Sequence, residues 1–162
     1  MLAIIADRQA KHDPGSAPVS FLRFLPARAS PLRALSDRER AALARHIPAR
    51  DLVRARLCDG HVPWYLPRRF AAITRGNRVY FRPGTCRTDT ADGLALLAHE
   101  LVHVGQYRQG ATWLTFLLSY LRHGYWSSPL EKEARVVARE VRSAAARPAD
   151  GPAGACRNGI SR

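Results

Sequence analysis

Cysteine is scarce in this chain. Cys58, Cys86 and Cys156 are too few for a disulfide framework, and no C-x-x-C spacing marks a cysteine zinc site. Two or three buried free thiols are expected, in keeping with a reducing compartment, with a Cys58–Cys86 bridge left open. Long apolar runs are missing as well. None approaches the roughly 20 residues that a membrane-spanning helix needs. The apolar start at residues 1–6 lacks a basic leader and a full apolar stretch, so no secretory signal is expected. That points to a cytoplasmic protein, although export through a dedicated apparatus would leave no mark of this kind. Acidic residues are few, 13 against 26 Lys and Arg, for a net charge of +13. Lysine is almost absent, at Lys11 and Lys132 alone. Such a balance would attract an anionic partner. The arginines, however, are spread from Arg8 to Arg162 without a dense block or a DNA-reading motif, so no specific nucleic-acid partner is expected.

What is present is ordinary globular material. With 162 residues, 46% hydrophobic and 24% charged, the chain is long enough for one domain with a real core. Prolines at 14, 18, 26 and 31 make residues 1–35 an irregular arm, in which Phe21, Leu22, Phe24 and Leu25 can pack onto the core. Ser36-Asp37-Arg38-Glu39 is a capping box that opens a short helix, and Pro48 stops it. Residues 52–57 read as a strand. Residues 71–74 and 78–81 are two more strands, and Gly76-Asn77 between them signals a hairpin. Helices follow at about 91–109, 113–121 and 128–146. The expected organisation is an arm over 1–35, a domain over 36–146 and a disordered basic tail over 147–162.

The chemistry sits in His99-Glu100-Leu101-Val102-His103, an HExxH pattern. On a helix, positions i and i+4 lie about 40° apart, so both imidazoles can converge on one metal ion. Glu100 projects about 100° from His99, within reach of a metal-bound water. Leu94, Leu97, Ala98, Leu101, Val102 and Gly105 point elsewhere and can form the packing face. From six histidines and five glutamates in 162 residues, the pattern arises by accident with a probability of roughly 0.7%, so a metal site outweighs two incidental histidines. A catalytic zinc takes three protein ligands. Glu131 and Glu133, at the start of the last helix, compete for the third place. Each lies about 80° from the centre of the apolar stripe of Leu130, Ala134, Val137 and Val141, so periodicity does not choose. Ser128-Pro129-Leu130-Glu131 also reads as a capping box, which would give Glu131 a merely local role.

HExxH followed by a helix-borne glutamate resembles the gluzincin branch of zinc peptidases. There the ligand glutamate has a small residue three positions on and an aspartate four on. Glu131 with Ala134 follows that pattern better than Glu133 does, but Arg135 stands in the aspartate's place. A closer resemblance covers residues 50–110. The run Ala72-Ile73-Thr74-Arg75-Gly76-Asn77-Arg78-Val79-Tyr80-Phe81-Arg82-Pro83-Gly84, followed by Leu96-Leu97-Ala98-His99-Glu100-Leu101-Val102-His103-Val104-Gly105-Gln106, is similar to the core domain associated with extracellular contractile injection systems. Gly105 and Tyr107 depart from that family's usual Val and Gln.

The resemblance implies an α+β, zincin-like fold. A small antiparallel sheet or hairpin would pack on the HExxH helix, with a downstream glutamate-bearing helix closing the site. It implies Zn2+ on His99, His103 and Glu131, with Glu100 as general base in peptide-bond hydrolysis. An oxyanion-stabilising donor is also needed. Among Tyr120, Arg122, His123 and Tyr125, His123 is the polar candidate, while the tyrosines read as packed rings. The hairpin offers an edge on which an extended peptide could lie. The 113–121 helix, apolar nearly all round, is expected to be buried as a shield over the site. The leading expectation is therefore a zinc metallopeptidase acting on a peptide or protein substrate. The alternative is a catalytically silent metal-binding module that assembles with an injection apparatus.

Overall fold

The computed structural model describes residues 2–3 and 31–147. The packing expected of Phe21, Leu22, Phe24 and Leu25, Cys156 and the chain beyond residue 147 lie outside the described residues. The elements, in order, are β1 (Leu2–Ala3), α1 (Asp37–Leu43), α2 (Ala49–Arg54), β2 (Arg56–Cys58), β3 (Ala72–Arg75), β4 (Arg78–Phe81), α3 (Ala91–Arg108), α4 (Trp113–His123) and α5 (Pro129–Ala146). Five helices and a small sheet among the described residues make an α+β fold.

Helix α1 starts as its capping box requires. Glu39 N donates to Ser36 Oγ at 3.2 Å, and Ser36 N donates to Glu39 Oε2 at 2.7 Å. The Glu39 carboxylate does more than cap. Arg33 grips both of its oxygens, at 2.8 and 2.7 Å, and Thr88 donates to Oε1 at 2.9 Å. Burial pushes this carboxyl upward, but Arg33, Ser36 and Thr88 together outweigh burial and hold it at about 2, below the ordinary 4.5. The folded state therefore prefers the charged form. This stabilisation is complete above pH 4.5 and is lost as the pH falls towards 2. Denaturant titrations across that window should show falling stability, with a flatter dependence in Glu39→Gln. Identical slopes would show that Arg33 and Glu39 do not contribute.

One expectation fails next. Residues 52–57 are not a strand: α2 covers Ala49–Arg54, and only Arg56–Cys58 is extended. Pro48 ends one helical segment and opens the next, because its free carbonyl accepts from Asp51 N at 2.9 Å and Leu52 N at 3.2 Å. Asp51 then turns inward and is 1% exposed. It pairs with Arg108 of α3, with Nε–Oδ1 at 2.6 Å. Gly105 makes room for it, since a Cβ there would stand 3.2 Å from Asp51 Oδ2.

The sheet order is β1-β3-β4-β2. The expected hairpin forms, with Ile73 opposite Tyr80 and Thr74 opposite Val79, and Gly76 takes the positive φ of 62° that its turn needs. The sheet is mixed rather than purely antiparallel, because β2 runs parallel to β4. A further correction concerns the edge. Among the described residues, β1 flanks β3 at Ala72 and Ile73 and β2 flanks β4 at Arg78, Val79 and Tyr80, so both hairpin strands are covered at those positions.

Beneath the sheet lies the core: Leu43, Leu57, Val79, Phe81, Leu97 and Leu101 are fully buried. Burying each such side chain contributes about 1.5–3 kcal/mol relative to exposure. Helix α3 is central to this packing. Thr90 caps it by accepting from Gly93 N at 3.1 Å. Gly93 is required there, since a Cβ would meet the Arg87 carbonyl oxygen at 1.8 Å. Helix α5 packs chiefly along α3, with the fully buried Ala134 allowing close approach. Cys58 and Cys86 form no disulfide. Among the described residues no helix is long and apolar enough to cross a membrane.

Candidate metal centre

Helix α3 turns His99 and His103 to one side, and α5 brings Glu131 against them. His99 Nε2 lies 3.1 Å from His103 Nε2 and 3.3 Å from Glu131 Oε2. One ligand atom from each of the three lies within 4.8 Å of the others. Nitrogen and oxygen ligands about 2.0–2.1 Å from a tetrahedral zinc stand about 3.4 Å apart. The two short edges of this triangle nearly match that spacing.

Hydrogen bonding fixes the electrostatics of the triangle. Gln106, one turn after His103, donates through Nε2 to the Leu130 carbonyl at 3.1 Å and to Glu133 Oε2 at 2.7 Å. Its Oε1 is therefore an acceptor, 2.7 Å from His103 Nδ1. The proton of His103 must sit on Nδ1, so the Nε2 lone pair faces Glu131 and His99. Burial, and His99 next to it, push His103 well below its ordinary value, favouring the neutral ring. Glu131 is fully buried, and its Oε2 has no hydrogen-bond partner. Acceptors thus converge with too few donors, and a divalent cation satisfies that arrangement.

Competition between the two glutamates resolves by geometry. Glu131 enters the triangle. Glu133 lies exposed on the flank and holds Gln106. Ser128 does not draw Glu131 away, because its side chain makes no capping bond and instead meets Ser119 Oγ at 2.8 Å. The partner that orients His103 is Gln106, on the HExxH helix itself. A polar residue three positions after the second histidine was the available signal for it.

Glu100 is fully buried under the sheet. The Thr74 hydroxyl, 2.5 Å from Glu100 Oε2 and 3.1 Å from the Glu100 carbonyl oxygen, donates to the carboxylate. Oε1 has no hydrogen-bond partner. Burial raises this carboxyl, opposed by His99 and Thr74. The position of Thr74 on β3 ties the hairpin directly to Glu100.

Helix α4 behaves differently from expectation. Only Phe116 is buried, its ring 5.7 Å from that of His103, while Trp113, Leu114, Leu118 and Leu121 face outward. His123 is not brought to the centre. It is the last residue of the helix and is exposed, where Gly124 at φ 72° turns the chain. Tyr120, read from the sequence as a packed ring, takes the inner place and donates to Glu131 Oε1 at 2.6 Å. Burial and the Glu131 charge raise its hydroxyl, so it stays a donor. Tyr125 packs on Tyr120 with ring centroids 5.4 Å apart and also bonds Glu131. The sequence marks Tyr120 as a packed ring, but its phenol tip is the polar handle that decides its place.

A family model, the eCIS core domain, matches residues 68–111. The eCIS core match takes in β3, β4 and α3, so the Thr74–Glu100 contact and both histidines fall inside it. Glu131 and Tyr120 fall outside it, and their place at the centre rests on the geometry alone. No curated protein and no solved structure gives a significant match to the chain.

Proposed function

We propose that the chain is a zinc-dependent, zincin-like peptidase domain of gluzincin type, working with a contractile injection system. The observation that carries the reading is the acceptor triangle of His99, His103 and Glu131, with the buried Glu100 close enough to feel the charge of His99 and Glu131. The association with an injection system is supported by the eCIS core match.

Zinc, when held there, supplies Lewis acidity and lowers the pKa of a water. The residues supply the rest. Glu100 is the general base, with Oε1 as the proton-accepting atom while Thr74 holds Oε2. Gln106 keeps the His103 lone pair aimed at the triangle. Tyr120 fixes the Glu131 carboxylate through Oε1, which leaves Oε2 turned to the histidines. Phe116 and α4 limit water on the His103 side. Glu100 then returns the proton to the departing amine.

Purified full-length chain should carry about one zinc per molecule and hydrolyse an unfolded protein substrate. A strong chelator should abolish cleavage, and added zinc should restore it. Stoichiometric zinc without any cleavage would favour the silent assembly module. No zinc at all would remove the site.

A further inference from the structure

Beside His99 lies a cavity of about 210 Å³. It is lined by residues of α3, including Asp92 and His99, by residues of α5, and by Tyr125 and Trp126. Arg135, Arg139 and Arg142 all line it. They follow i, i+4, i+7 spacing, so they share one side of α5. Arg135 is one turn beyond Glu131, which sets this side next to the metal centre.

The guanidinium groups are incompletely matched. Arg142 pairs with Asp92 at 2.8 Å, the one carboxylate lining the cavity. Arg135 lies over the Trp126 ring and donates through Nη2 to the Trp126 carbonyl, but its Nη1 is buried with no partner. Arg139 has no ion pair or hydrogen bond among the described residues. The buried Arg135 Nη1 without an acceptor is costly, Arg139 is exposed and open to a partner, and a planar carboxylate is the group that a guanidinium fork fits best. The cavity is smaller than the roughly 300–1,000 Å³ of pockets that enclose whole small molecules. It suits a single side chain or a chain terminus, and that favours peptide over nucleotide.

We infer that the cavity beside His99 is a subsite for a peptide carboxylate, so that the substrates are peptides with an acidic side chain or a free C-terminus close to the bond cut. The word substrate rests on the hydrolytic reading above; the carboxylate site does not. Arg139 and Arg142 are the specificity-determining residues, and Arg135, held against Trp126, lines the same cavity one turn beyond Glu131.

Binding to the full-length, metal-free protein tests this without turnover. Calorimetry would compare three matched peptides: one with a central Glu and an amidated end, one with Gln there and an amidated end, and the Gln peptide with a free C-terminus. A carboxylate-bearing peptide should bind about 10-fold or more tightly than the neutral one. Which of the two gains tells side chain from terminus. In Arg139→Gln/Arg142→Gln the advantage should vanish. In Arg38→Gln/Arg45→Gln, which removes equal charge from residues not lining this cavity, it should persist. Equal affinity for all three peptides would overturn the subsite. So would an advantage lost equally in both variants, since that is general attraction to a basic chain. With zinc added, the same ranking should appear in kcat/KM. Discriminating binding without cleavage would leave the subsite standing and remove the peptidase, whereas cleavage without ranking would do the reverse.

Discussion

Glu131→Ala should come through purification without zinc, while Glu133→Ala keeps about one ion per chain. The two residues are neighbours on α5 with equal claims from periodicity, yet they face different surroundings. Glu131 is fully buried, with Oε2 3.3 Å from His99 Nε2 and Oε1 held by Tyr120. Removing it takes away one of the three proposed ligands and leaves the Tyr120 hydroxyl without its acceptor. Glu133 touches only the support, through Gln106 Nε2 at 2.7 Å. Losing that bond loosens the amide that orients His103, and zinc affinity should fall by about 10–100-fold, as for other outer partners of metal ligands. Metal content by elemental analysis, with competitive chelation for affinity, separates the two. Full zinc in Glu131→Ala would mean that the triangle is not the binding set.

A second large effect is expected at Glu100. Glu100→Gln should retain zinc and lose roughly 10²–10⁴-fold in peptide hydrolysis, the range that general base catalysis supplies. The substitution is nearly isosteric, and the amide oxygen can still accept from Thr74, so the packing under β3 should survive. What goes is the basic oxygen, Oε1, which has no hydrogen-bond partner in the fold. Unchanged cleavage in this variant would take Glu100 out of the chemistry. Cleavage and zinc lost together would show a structural role.

Much of the fold was legible where local chemistry is strong. The Ser36 capping box and the Gly76-Asn77 turn both sit where the residue types place them, and α3, α4 and α5 begin within a residue of expectation. Residues 52–57 misled because alternating Arg and apolar residues imitate a strand. The deciding forces were the Pro48 carbonyl and the distant Arg108 that buries Asp51, and neither is local. The order and mixed sense of the sheet were equally out of reach, since they depend on contacts between residues far apart in the chain.

At the site, i,i+4 geometry was enough to bring His99 and His103 together. It could not separate Glu131 from Glu133, because that depends on how α5 rolls against α3, with Ala134 at the contact. Tyr120 and His123 are three residues apart on α4, and only the end of the helix decided which turned inward. The α4 surface was misjudged for a related reason. An apolar helix is normally buried, but of the α4 side chains only Phe116 is buried here.

Gln106 joins α3 to α5 through the Leu130 carbonyl and Glu133, at the same place where Glu131 meets the histidines. An ion gripped there would close the stretch of chain between His103 and Glu131 into a ring, as a removable clasp. Opening the clasp would return to the unfolded chain the entropy of that ring, so the hold of α5 on the rest of the molecule would follow the supply of free metal around it.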